Sequence, residues 1–148
     1  MKPKSQRLEV VLALEQRRED EALEAMNRAR EQWRQQEHQL GELKRYQADY
    51  REQMRQGQQG TVSVARLQGW QAFIGQLDQA IQGQEQQARR SAEVFEQARE
   101  QWRQAYERKK GMAKHIDACR AEEQRARDLR EQKQADEAAN RIHAHRRF

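Results

Sequence analysis

The stretch "RQGQQGTVSVARL", residues 55–67, decides the fold of this chain. Two glycines three positions apart, Gly57 and Gly60, interrupt a sequence whose helix breakers are absent from long stretches. Gly57 or Gly60 is suited to the left-handed conformation that ends a helix. Ser63 is then placed to cap the next helix, with Val62 and Leu67 as the N′ and N4 partners of a hydrophobic staple. The stretch reads as a tight turn between two helices, and a tight turn makes them antiparallel neighbours.

On either side of this break one string is written twice. "AREQWRQ" stands at residues 29–35 and again at 98–104. Steps of three and four from Trp33 land on Leu12, Ala22, Met26, Ala29, Leu40, Leu43, Tyr50 and Met54, with Glu15, Glu19, Gln36 and Gln47 as polar interruptions. The same steps from Trp102 land on Leu67, Trp70, Ile74, Leu77, Ile81, Ala88, Phe95, Ala98, Ala105, Met112, Ile116 and Cys119, interrupted by Gln84, Ser91 and Lys109. A seam of period 3.5 buries itself against a partner helix in a supercoiled pair. Strands require alternation, which is absent. The copies are 69 residues apart, which is not a multiple of seven, so one unbroken register cannot carry both. The repeat is one packing problem solved twice, not a duplicated module.

The expected architecture is all-α: a single antiparallel coiled-coil hairpin over residues 1–148. Helix 1 runs from about 5 to 56, the turn from about 57 to 62, helix 2 from about 63 to 140, and a basic tail from 141 to 148. At 1.5 Å per residue the helices are roughly 80 and 115 Å long. Folding back near residue 60 places Trp33 near Ala88 and Trp102 near Ala22, each indole against a small residue. Helix 1 then ends near the level of Met112, and residues 120–148 overhang without a partner from their own chain. The expected coiled-coil core comprises Trp33, Leu40, Leu43, Tyr50, Trp70, Ile74, Ile81, Phe95 and Trp102.

Composition agrees with a long thin helical chain. Of 148 residues 36% are charged and 35% hydrophobic, with one proline, and the mean hydropathy is -1.38. That is too polar for a globular core of this length. Residues 1–102 carry 16 Lys/Arg and 16 Asp/Glu, whereas residues 103–148 carry 13 and 8, so the whole net charge of +5 sits in the last third. Cys119 is the only cysteine, which excludes an internal disulfide. The start, "MKPKSQRLEVVLALEQRR", has a short apolar run interrupted by Glu9 and no cleavage site, so it does not read as a signal peptide. No apolar stretch approaches a membrane span, and no direct membrane insertion is expected.

The residues argue against an enzyme. His38, His115, His143 and His145 lack ligand spacing with one another or with Cys119, and the terminal "HAH" reads better as part of a solvated basic tail than as a metal site. There is no phosphate loop and no nucleophile elbow. A bare hairpin supplies no concave pocket for paired carboxylates. No catalytic residue, cofactor, metal or small-molecule substrate is expected. Nucleic-acid binding is disfavoured too, because Glu122, Glu123, Asp128, Glu131, Asp136 and Glu137 are interspersed among the arginines.

Two places suit partner binding. In "LQGWQAFIGQLDQAIQGQ", residues 67–84, Phe73 and Ala80 flank the seam. They either widen the core or form an apolar docking patch. At the open end, "LEVVLAL" supplies Leu8, Val11, Leu12 and Leu14, which spread beyond one seam and are expected beside the basic overhang. They are either a frayed terminus or an insertion end.

These features together resemble the FliJ family of bacterial flagellar export proteins. The resemblance covers most of the chain: its length, a short helix before a longer one, and the glycine-containing turn near residue 60. It is sharper at "WQAFIGQLDQAI" and at "REQKQADEAANR", residues 130–141, similar to the family's C-terminal segment at Gln132, Lys133, Asp136, Glu137, Ala139 and Arg141. The resemblance implies a cytoplasmic stalk of the type III export apparatus, peripheral at the cytoplasmic face of the inner membrane. Such a stalk engages the hexameric flagellar export ATPase, links it to the membrane export-gate protein and escorts cargo-free export chaperones. It implies a gate contact at Phe73, Leu77 and Ala80, with Gln84 next on that face. The ATPase contact is expected at the end formed by both termini, at Leu8, Val11, Leu12, Gln132, Lys133, Asp136, Glu137 and Arg141. The ending "RIHAHRRF" does not align to the family. The alternatives are the equivalent stalk of a virulence injectisome and a generic basic coiled-coil scaffold.

Overall fold

The computed structural model describes residues 2–58 and 60–146. They form two helices, α1 (Lys4–Gly57, 54 residues) and α2 (Val64–Arg146, 83 residues), packed against each other, with no strand among the described residues. The helix-rich composition explains the length of both, and the only proline precedes α1, where the Pro3 carbonyl accepts the first bond from the Arg7 amide at 3.1 Å. Ser63 caps α2: its hydroxyl accepts from the Arg66 amide at 3.2 Å and its carbonyl from the Leu67 amide at 3.1 Å. Val62 and Leu67 are both half-buried. Against the bounds read from the sequence, α1 extends to Gly57 and α2 continues through the tail to Arg146.

The turn does not use its glycines as expected. No glycine among the described residues has a positive φ. What Gly57 supplies is space: a Cβ there would lie 3.0 Å from Cη2 of Trp70. Trp70 therefore lies close over the end of α1, and the Arg66 guanidinium lies 5.1 Å from its ring.

The chain divides into two compact units, Glu21–Trp102 and Met1–Asp20 with Arg103–Phe148. The first unit contains the turn, and its two arms run antiparallel. Lys44 pairs with Glu85, and Arg51 with Asp78. Gln47, buried at a seam position, donates to the Ile74 carbonyl and the Asp78 carboxylate. Its core has two clusters. Met26, Ala29 and Phe95 are joined by Leu23, Trp33, Ala98 and Trp102; Leu40, Ile81 and Ala88 are joined by Leu43.

The expected pairing of Trp33 with Ala88 is corrected here. Trp33 stacks on Phe95, with ring centroids 5.5 Å apart and planes 19° from parallel, and Trp102 packs against the same cluster, while Ala88 belongs with Leu40 and Ile81. Helical side chains lean toward the N-terminus of their own helix. In antiparallel arms Trp33 and Phe95 lean toward each other, so two large rings meet across the seam. Arg30 adds its guanidinium 5.4 Å from the Phe95 ring.

The second unit joins the start of α1 to the last part of α2, also antiparallel. Glu19 pairs with Lys109 at 3.8 Å, Glu9 pairs with Arg120, and Ser5 bonds Glu123. The expected end of α1 near Met112 and the expected isolation of residues 120–148 are thereby corrected. The partner arm reaches Glu123, because a carboxylate there satisfies a backbone amide left free in the first turn of α1. The exposed extension begins after Glu123: every described residue from 124 to 146 is exposed, although Pro3 still lines a shallow pocket with Ala126, Arg127 and Arg130.

Candidate interaction surfaces

The face that carries Phe73, Leu77, Ala80 and Gln84 follows from helical spacing, since steps of four, three and four keep all four on one side of α2. Their accessibility differs. Phe73 is half-buried, Leu77 is buried, Ala80 is exposed, and Gln84 is half-buried. Gln84 donates to the Gln36 carbonyl at 2.9 Å and to its side-chain oxygen at 2.7 Å. Leu77 and Gln84 are thus engaged within the coiled coil, and the accessible members are Phe73 and Ala80.

Phe73 sits edge-on to two tyrosines of α1. Its ring is 4.6 Å from Tyr50 at 61° and 6.2 Å from Tyr46 at 85°. Such geometry places the positive ring edge against a negative face. Tyr46 is 53% exposed, so the aromatic trio continues outward from the seam to solvent. A groove of about 380 Å³ lies beside it, lined by Gln39, Glu42, Leu43, Tyr46 and Gln84. The α1 side of this surface, Tyr46 above all, was missed in reading the sequence. The available signal was the spacing of Tyr46 and Tyr50, which puts both rings on one side of α1.

The residues expected at the other surface are not brought together as a group. Leu8 and Leu12 are half-buried, and Val11 is 36% exposed. They lie along the part of α2 that precedes Glu123, as the Glu9–Arg120 pair shows. Gln132, Lys133, Asp136, Glu137 and Arg141 are all exposed on the extension. Lys133 stands 13 residues past Arg120, roughly 20 Å along the helix axis. The picture of "LEVVLAL" beside Lys133 and Arg141 is therefore corrected: the apolar stretch flanks the root of the extension.

Of the expected core residues, Leu40, Ile81 and Phe95 are buried, and Trp33, Leu43, Tyr50, Trp70, Ile74 and Trp102 are half-buried. Charge at the root of the extension is organised around Glu123. The Ser5 hydroxyl donates to it at 2.7 Å and the Ser5 amide at 3.0 Å. These bonds, with Arg127 and Arg120 nearby, hold its carboxyl below the usual carboxylate range. Among the described residues no group of three or more His, Cys, Asp or Glu side chains could hold a metal ion, and no helix is long and apolar enough to cross a membrane.

Two long helices packed against each other define an all-α coiled-coil hairpin. A family model described as the flagellar FliJ protein matches residues 3–148, nearly the full chain, and so includes the ending "RIHAHRRF", which is a correction to the expectation that it lies outside the family pattern. The chain belongs to the FliJ family, and so to the components of flagellar protein export, a non-enzymatic class. No curated protein and no solved structure matches it.

Proposed function

We propose that the chain is the stalk of the flagellar export machine. Its helical extension engages the hexameric export ATPase, and its Phe73 face meets the membrane export-gate protein, placing the chain at the cytoplasmic face of the inner membrane. Cargo-free export chaperones are a third class of partner.

The observation that supports this reading most is the extension itself. From residue 124 to 146 α2 remains helical with every residue exposed. An isolated polar helix of this length is marginal in water and acquires stability from a partner surface. Its mixed charge, with Lys133 and Arg141 near Asp136 and Glu137, suits a charged protein lining better than an apolar groove. The trio of Phe73, Tyr46 and Tyr50 supports a second surface, since partly exposed aromatics are enriched among residues that dominate binding.

The test is binding of the purified export ATPase as a function of salt. Replacing Lys133 and Arg141 together by Glu should weaken binding and flatten its salt dependence, because exposed charge contacts are screened. Binding indifferent to both the substitutions and the salt would overturn the assignment.

A further inference from the structure

The first arm of the second unit, residues 4–20, is poorly anchored by hydrocarbon. Continuing the steps of three and four gives its seam positions as Ser5, Leu8, Leu12, Glu15 and Glu19. The three polar ones are buried, at 5, 9 and 8% exposure, whereas the two leucines are only half-buried. Much of the arm's remaining aliphatic surface faces outward: Val10 is 75% exposed and Leu14 44%. One Glu15 oxygen, Oε2, is buried without a hydrogen-bond partner. A buried carboxylate oxygen in that state opposes closure.

The arm is tied to α2 through polar clasps. They include the two bonds from Ser5 to Glu123, the Glu9–Arg120 pair and the Glu19–Lys109 pair at 3.8 Å. Both partners of the Glu9–Arg120 pair are about half exposed, at 50 and 55%. Contacts of this kind are weak in water and weaken further with salt. The α2 surface opposite has another character. Ile116 is 2% exposed and Cys119 7%. An apolar face is thus covered by a segment fastened mainly at its polar points.

We propose that residues 4–20 form a detachable strap, which opens by local unfolding while the Trp33–Phe95 core stays closed, and which uncovers the Ile116–Cys119 face of α2 when it opens. Local opening at a free energy below that of global unfolding belongs to segments with few buried apolar contacts. The strap combines that deficit with a chain terminus.

Cys119 is the only cysteine and lies under the strap, so the full-length protein carries its own probe. The experiment measures the rate at which an aromatic disulfide reagent labels Cys119 at fixed pH, with hydrogen exchange of residues 4–20 and 26–47 followed in parallel. The wild-type thiol should label in the absence of denaturant, faster at high salt, while residues 26–47 stay protected. The double variant Ser5→Ala, Glu9→Ala removes the Ser5 hydroxyl bond and the Glu9–Arg120 pair, keeps the Ser5 amide bond to Glu123, and leaves the sequence around the thiol unchanged. It should raise the labelling rate by roughly tenfold or more, with no loss of protection at 26–47. Labelling that appears only with global unfolding, or a rate indifferent to the double variant, would overturn the strap.

Discussion

Trp33 and Phe95 stack face to face across the two helices, 5.5 Å between centroids, with Arg30 also 5.4 Å from the Phe95 ring. The contact joins two residues 62 positions apart in sequence, and the buried Met26 and Ala29 pack with it. It is the stacked aromatic contact of a core cluster that spans both arms, which gives the first prediction. Phe95→Ala should lower stability by about 3 kcal/mol or more, through lost burial and the cavity left behind. Trp33→Asp should cost a similar amount, on the order of 3 kcal/mol, by placing a charge in the seam. Urea unfolding followed by helical circular dichroism checks both. A midpoint equal to wild type in either variant would show that the seam does not depend on this pair.

Gly57 is predicted to be sensitive to size. A Cβ would meet the Trp70 ring at 3.0 Å, so Gly57→Ala should destabilise by about 1 kcal/mol despite the better helix propensity of alanine. In a Trp70→Ala background the same change should become neutral or stabilising. The four-protein cycle of thermal or urea unfolding reads this coupling directly, and additive effects would refute the contact.

The pairs around Phe73 separate binding from folding. Loss of its edge-on contacts with Tyr46 and Tyr50 should cost about 1–2 kcal/mol of stability. Tyr46→Ala should cost less, because Tyr46 is 53% exposed. If the surface meets the export gate, Tyr46→Ala and Phe73→Ala should each weaken that binding by roughly 1–2 kcal/mol per folded molecule. Titration calorimetry against the gate protein's cytoplasmic part would measure it. Unchanged affinity in both variants would reduce the aromatic trio to a packing role.

The Ser5–Glu123 clasp predicts an acid-labile strap. The Glu123 carboxyl is held below the ordinary value by the two Ser5 bonds first, then by Arg127 and Arg120. The folded-state pKa is depressed, so the stabilisation is fully present above the unfolded pKa near 4.5 and is lost as pH falls through the folded value. Protection of residues 4–20 should therefore be flat near neutrality and fall below about pH 4.5. In Glu123→Gln the clasp's contribution to that fall should disappear. Hydrogen exchange corrected for intrinsic rates distinguishes the two proteins, and identical profiles would remove Glu123 from the clasp.

Much of the fold was legible because burial here follows one period. Leu40, Ile81, Ala88, Ile116 and Cys119 are buried at seam positions found by counting, and so are Glu15, Glu19 and Gln47, which interrupted the apolar pattern without leaving the seam. Ser63 was legible as a cap because its chemistry is local. Axial register was harder, since a heptad seam matches itself after every slip of seven residues. The lean of Trp33 and Phe95 toward each other and the bonds from Ser5 to Glu123 depend on contacts that no count along one helix contains. The same gap hid Tyr46, whose place beside Phe73 is a fact about facing helices.

Engagement of the export ATPase by the exposed end of α2, as proposed, is open to a direct test. Stimulation of ATP hydrolysis by the purified ATPase should be measured with the full-length chain and with a chain ending at Glu123, at matched concentration. The shortened chain retains the last seam contact and should keep the stability of the Trp33–Phe95 core. The shortened chain should lose most of the stimulation. Equal stimulation by the two proteins would contradict that engagement.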